Sequence, residues 1–351
     1  MKRVLLIIFV VAVAACARPQ GTGINEVNPN AATESVFIAT MRSQEQAGQI
    51  YGQKRSEKMR YALADVSVPP NHKTGHLERG TGVLNTAKHF APIGHREIPD
   101  VRALSSQINA AQSDAKEPLL IFVHGYNNTL EDTLLRLAQI QHDFELSNSS
   151  LLFSWPSAGA AGGYVYDRDS VLFARGDFAR LLEDLQRASQ RRILILAHSM
   201  GSQLVMEALR QLKLEGKTAP LRAIDGVVMM SPDIDPDVFR KQAKEIGKLP
   251  QPFVIMTTQN DHVLNLAGLV TGRKDRLGRI QSAEEVAGLG VTVLDFTSFK
   301  NGENFGHMVP VSSPEAIAFL RKLSGGISQS ADAFSKYVRL GDSPENGTKA
   351  N

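Results

Sequence analysis

The chain has 351 residues, 42% of them hydrophobic and 21% charged, with a formal net charge of +3. A balance this near neutral excludes binding to polyanions by bulk charge, so no nucleic-acid partner is expected. A single cysteine excludes an intrachain disulfide, and the length admits one large α/β domain or two smaller ones.

The chain opens "MKRVLLIIFVVAVAACARPQ": two cations, an apolar run from Val4 to Ala15, then small residues. This is the pattern of a signal peptide over residues 1–15, and the run is shorter than the roughly 20 residues that span a bilayer. The end of it, "VAAC", resembles the lipobox of bacterial lipoproteins, which implies that Cys16 is acylated and becomes the new N-terminus. Such an anchor would hold the chain in the cell envelope, at the outer membrane in preference to the inner one. The competing reading is a secretory peptide cut after Ala15 or Ala17. Residues 16–33, small, polar and turn-rich, are expected to form a flexible tether, and residues 325–351, which lose apolar periodicity, a disordered tail.

Between these ends eight strands are expected. They are "SVFIAT" (35–40), "ALADVSV" (62–68), "LLIFVHG" (119–125), "LLFSW" (151–155), "ILILAH" (193–198), "IDGVVMMS" (224–231), "FVIMTT" (253–258) and "VTVLDF" (291–296). Most of the last six are continuous apolar runs, which implies strands buried on both faces. Helical periodicity falls between them: a segment opening at Thr129 with acids in its first turn, two long amphipathic segments at 169–190 and 201–216, and "PEAIAFLRKL" (314–323). The alternation predicts a mostly parallel, eight-stranded α/β sheet with helices on both faces. Composition shows no second regime, so 34–324 reads as one domain with an N-terminal extension at 34–116.

In an open parallel sheet, chemistry sits beyond the carboxyl ends of the strands. There "LAHSMGSQLV" sets Ser199 between Ala197 and Gly201, small residues two before and two after it. This approximates the G-x-S-x-G turn that exposes a nucleophilic serine between strand and helix. The alternative is an ordinary loop whose serine caps the next helix. A serine nucleophile needs a histidine base, and only His262 and His307 lie downstream. His307, after the last strand and before the last helix, is the expected base, whereas His262 reads as a helix-start residue. The acid that orients the base is Asp261, after the seventh strand, or alternatively Asp233, after the sixth. Asp261 is preferred because that position reaches a histidine after strand eight. Asp233 and Asp235 otherwise read as turn and capping residues.

Acyl transfer also needs N–H donors for the oxyanion. Those expected are the amide of Met200, directly after the serine, and the amide of Tyr126 in "FVHGYNNTLED", where Gly125 permits a sharp turn. Asn127 and Asn128 are placed to brace that loop.

"IFVHGYNN", "FSWPSAG", "YVYDRDS", "LAHSMGSQLV", "SPDID" and "NDHVLNLAG", with upstream "VFIATMR" and "YGQKRSEKMRYALADVSVPPNHKTGHLE", resemble an uncharacterised bacterial group of α/β-hydrolases over roughly residues 35–322. The resemblance implies an α/β-hydrolase fold. With the order Ser199, Asp261, His307 it points to a serine hydrolase acting on a small-molecule ester, without metal or organic cofactor. His72 and His76 have a spacing seen in metal sites, yet a loop pair without further ligands is expected to bind none. Tyr164, Tyr166 and Asp167 fit equally as lining of the acyl pocket or as packing and capping residues. The rival from another class is a lipid-anchored envelope scaffold that keeps the fold without turnover.

Overall fold

A computed structural model describes residues 21–327 apart from 46–49, 112–116, 147–149, 190, 273–274, 301 and 304–305. Residues 1–20, with the expected signal peptide and Cys16, and residues 328–351 lie outside the described residues.

The last six expected strands form within two residues of the expected places: β6 (Leu119–Val123), β7 (Ser150–Ser154), β8 (Ile193–His198), β9 (Ile224–Met230), β10 (Phe253–Thr257) and β11 (Thr292–Asp295). The first two are longer than expected, β2 running Ala32–Arg42 and β3 Arg55–Val68, because strands at the partly exposed side of the sheet carry polar residues that break the apolar run. The sheet has nine strands, not eight, because β5 (Ala91–Ile98) adds an edge in the order β11-β10-β9-β8-β6-β7-β2-β3-β5. Every pairing is parallel except those of β3, which runs antiparallel to both β2 and β5. This is the mostly parallel, helix-flanked sheet of the α/β-hydrolase fold.

Two boundaries move. Within the segment read as a tether, Gly21–Ile24 forms β1, which pairs in parallel with β4 (Gly82–Leu84), and β2 begins at Ala32. A glycine-containing tetrapeptide has no periodicity to announce a strand whose partner lies some sixty residues away. At the other end the last helix runs Pro314–Ile327, past the expected stop at 324. The 34–116 extension is no appendage, since β2, β3 and β5 continue the main sheet.

Alternate side chains of the buried strands feed two cores. Phe37, Ala39 and Met41 of β2 join one, under α1 (Val101–Ala111), α3 (Tyr164–Ser189), α4 (Met200–Leu214) and α6 (Pro236–Ile246). Between α4 and α6, α5 (Thr218–Ala223) is a short connecting turn. Val36 and Ile38 join the other, under α2 (Leu130–Asp143). Helix α2 starts where expected: Thr129 and Asp132 form a reciprocal capping box. On that second face pack α8 (Val309–Ser312) and α9 (Pro314–Ile327), while α7 (His262–Val270) follows β10. The residues singled out in the sequence as a candidate site, Tyr126, Ser199, Asp261 and His307, all follow the carboxyl ends of strands: β6, β8, β10 and β11.

Candidate active site

Ser199 stands at the turn from β8 into α4 with φ +53° and ψ −123°, a conformation disfavoured for any residue with a Cβ. Such strain costs on the order of 1–3 kcal/mol and persists only where the surroundings enforce it. Three hydrogen bonds do so. The Ser199 N–H donates to the Met230 carbonyl (3.0 Å), and the Ser199 carbonyl accepts from the N–H groups of Ser202 (3.0 Å) and Asp233 (3.2 Å). The side chain makes no capping bond to α4, which disposes of the capping reading. The flanking glycines have a steric reason. A Cβ on Gly201 would sit 2.3 Å from the His124 carbonyl oxygen, and one on Gly125 only 2.8 Å from the Cβ of Ser199. The loop after β6 therefore passes directly against the serine.

His307 follows β11. Gly306, at φ +87°, lies so close to the Asn260 carbonyl oxygen that a Cβ would come within 2.4 Å. That approach brings His307 Nδ1 to 2.6 Å from Asp261 Oδ2, both side chains buried. The other oxygen of Asp261 accepts the Leu264 N–H at 2.8 Å at the start of α7. With both oxygens engaged, the carboxylate is fixed and in turn fixes the imidazole, leaving Nε2 of the ring for other work.

A cavity of about 250 Å³ brings Ser199 and His307 together with Tyr126, Asn128, Arg79 and Arg136 on its wall. Two further histidines border it. His198 packs its ring 4.6 Å from that of His307, and its buried Nε2 has no hydrogen-bond partner. Burial first, with electrostatic repulsion from the Arg136 side, holds its pKa well below the usual value, so it stays neutral. His124 stacks on Trp155 at 4.8 Å, and burial with the Arg42 charge lowers its pKa to about 3. The Trp155 indole N–H returns a bond to the His124 carbonyl at 2.8 Å, tying the ends of β6 and β7 together.

The loop after β6 is held from within by Asn128, whose Nδ2 donates to the carbonyls of Gly125 (3.0 Å) and Tyr126 (2.8 Å). Asn127, at φ +58°, donates its N–H to Asp167 Oδ2 at 2.9 Å. Asp167 also accepts from the Ser157 hydroxyl (2.6 Å) and the Ala158 N–H (2.7 Å), so of its two readings it takes the bracing one. Tyr164 packs edge-on to Tyr126 and donates its hydroxyl to Asp233. Met200 is the first residue of α4, where helix geometry provides no intrahelical acceptor for its N–H.

Asp233 is engaged elsewhere: Arg276 Nε lies 2.9 Å from Oδ1, and the Tyr164 hydroxyl 2.9 Å from Oδ2. Burial raises its pKa against the pull of Arg276. Asp235 caps α6, and His262 is the exposed first residue of α7. His72 does not pair with His76. Its ring nitrogens lie 2.8 Å from Glu78 and 2.9 Å from Asp143, and among the described residues no group of three or more His, Cys, Asp or Glu is set to hold a metal. Sequence reasoning missed His198, the last residue of β8, and Arg42. Arg42 is a lone charge closing the apolar run "VFIATM", and that ending was the available signal.

The family model described as "Alpha/beta hydrolase of unknown function (DUF900)" matches residues 101–323. An uncharacterized protein of Nostoc sp., alr1448, is 31% identical over 128 residues, a stretch that covers 29% of this chain and 33% of that relative. The chain thus spans a third of the length of the curated relative it matches. Among solved structures, a dienelactone hydrolase from Anabaena variabilis aligns with TM-score 0.37 and 11% identity, covering 85% of this chain and 100% of that one. An esterase from Pyrobaculum calidifontis aligns with TM-score 0.37 and 10% identity, covering 91% and 90%.

Proposed function

Because the chain belongs to this family of α/β-hydrolases of unknown function, matched over 101–323, we propose that it is a serine hydrolase that cleaves a small carboxylic ester through an acyl-enzyme. The observation that carries the reading is His307 Nδ1 at 2.6 Å from Asp261, in the cavity that also holds the strained Ser199. Asp261 keeps the Nδ1 proton and so leaves Nε2 as the base. His307 takes the Ser199 hydroxyl proton as the oxygen attacks the ester carbonyl, and the negative charge passes to the carbonyl oxygen. The Tyr126 and Met200 N–H groups receive that charge, each worth about 2.7–4 kcal/mol in the transition state. His307 then gives its proton to the departing alkoxide, and water repeats the sequence to release the acid and restore Ser199. The scheme asks for no metal or organic cofactor.

The test is reaction with a fluorophosphonate probe, beside Ser199→Ala and His307→Ala. Labelling of the wild type that disappears in Ser199→Ala supports an activated serine. A folded wild type that takes up no label leaves a non-catalytic scaffold as the better account. We also propose that Cys16 is acylated and anchors the protein in the envelope, on the sequence pattern alone. Labelled palmitate should enter the protein and be lost in Cys16→Ser; an unmodified Cys16 in the mature chain would end that proposal.

A further inference from the structure

Arg42 closes β2, on the part of the chain that precedes the family-matched residues. Its side chain is wholly buried, and burial lowers its pKa to about 10, still a cation at neutral pH. A guanidinium taken out of water is tolerated only where its donors are satisfied. Those of Arg42 reach separate segments: Nε to Ser154 Oγ (2.8 Å), Nη1 to the carbonyls of Ser157 (3.1 Å) and Gly52 (3.3 Å), and Nη2 to the carbonyl of Asn128 (2.8 Å). Asp167, also buried, supplies the compensating charge and spends its own bonds on Asn127, Ser157 and Ala158. Two buried opposite charges are thus used on the loops after β6 and β7.

The orientation that results bears on the serine. Asn128, fixed by Arg42 through its carbonyl, donates its side-chain amide to the Gly125 carbonyl, an oxygen that also lies 2.8 Å from Nδ1 of the buried His124 ring. In a trans peptide the carbonyl and the following N–H point to opposite sides. Capture of the Gly125 oxygen therefore turns the Tyr126 N–H the other way, at a point where Gly125 passes so near Ser199 that a Cβ on it would come within 2.8 Å of the serine Cβ. We propose that Arg42 is a positioning residue of the Ser199 site, holding the 125–128 loop so that the Tyr126 N–H is aimed at the oxyanion. The inference rests on the serine-hydrolase reading.

The experiment uses the full chain, with p-nitrophenyl acetate and the fluorophosphonate as probes. Arg42→Lys keeps the charge and loses the fork. It should lower kcat and the labelling rate by about tenfold or more, with KM within about threefold, because the lost contact acts in the transition state. Asn128→Ala should do the same, and the double variant should lose little more than the worse single one. Should Arg42→Lys fail to fold, Ser154→Ala removes one acceptor of Arg42 without baring a charge, and the same loss of kcat is expected. Folded variants that keep kcat and labelling within about twofold, or that change KM alone, overturn the proposal. If the wild type neither labels nor turns over, it is the serine reading that fails. The Tyr126 amide resonance then decides: a shift in Arg42→Lys upholds the positioning role, and an unmoved resonance overturns it.

Discussion

Asp261 and Asp233 are both buried carboxylates beyond neighbouring strands, and what each touches separates them. Asp261 is spent on His307 and the start of α7; Asp233 is spent on Arg276 and Tyr164. Asp261→Asn should therefore lower kcat by about 10⁴ with the fold intact, since an amide there favours the wrong imidazole tautomer. Asp233→Asn should instead destabilise by about 3 kcal/mol, leaving Arg276 a buried cation without its partner, and change kcat far less. Steady-state kinetics and chemical denaturation on the two variants check both expectations. At this scale the sequence is legible wherever a position is written in a short local pattern: Ser199 between small residues at the end of β8, Asp261 shortly after β10, and His307 in the longer loop that follows β11. Arg42 leaves only the charge that closes its apolar run, and His198 leaves no trace. The partners of Arg42 are carbonyls and a hydroxyl 10 to 115 residues away, and backbone acceptors carry no residue code.

Among the elements, buried parallel strands are read from sequence within a residue or two, because a run covered on both faces must be apolar throughout. Strand β5, "APIGHREI", escapes that logic. It lies at the sheet edge with most of its middle exposed, so charges, Gly94 and Pro92 are all admitted there. The loop after β6 is the element on which the proposed chemistry depends most. Its Gly125 has no room for a side chain between Ser199 and His198, so Gly125→Ala must push the loop away from the serine. A displacement of about 1 Å there should cost roughly a hundredfold in kcat. The fluorophosphonate labelling rate should fall in parallel, while melting is affected modestly.

Across the whole molecule, the segment from 69 to 80 is strapped to the end of α2 by His72, set between Glu78 and Asp143. Burial opposes the charged ring, yet the two carboxylates outweigh it and push its pKa up to about 9. An imidazole in the unfolded chain titrates near 6.5, so this strap stabilises fully below about pH 6.5 and is lost as pH rises through about 9. The melting temperature should decline over that interval in the wild type. In His72→Gln it should be lower at pH 6 and converge on the wild type by about pH 10, as scanning calorimetry would record. The same breadth explains what sequence could not announce: an extension that looks peripheral in the chain supplies three strands and a buried cation to the common sheet.

The position of β2 between β3 and β7 also orders events in time. Thr40 bonds to Ser154, 114 residues further along, and β2 pairs with β7 over the same distance. During synthesis from the amino end, β2 and β3 can form a hairpin early, but the flank that receives β7 stays bare until residues 150–154 have been made. Loop closure across such a span is slow, and until it happens the guanidinium of Arg42 ends an apolar strand with none of its distant acceptors in place. All the acceptors of Arg42, the furthest at residue 157, lie in the first half of the 351-residue chain, so this side of the sheet can close while the turn at Ser199 is still unmade: the later strands are then added to a flank that is already formed.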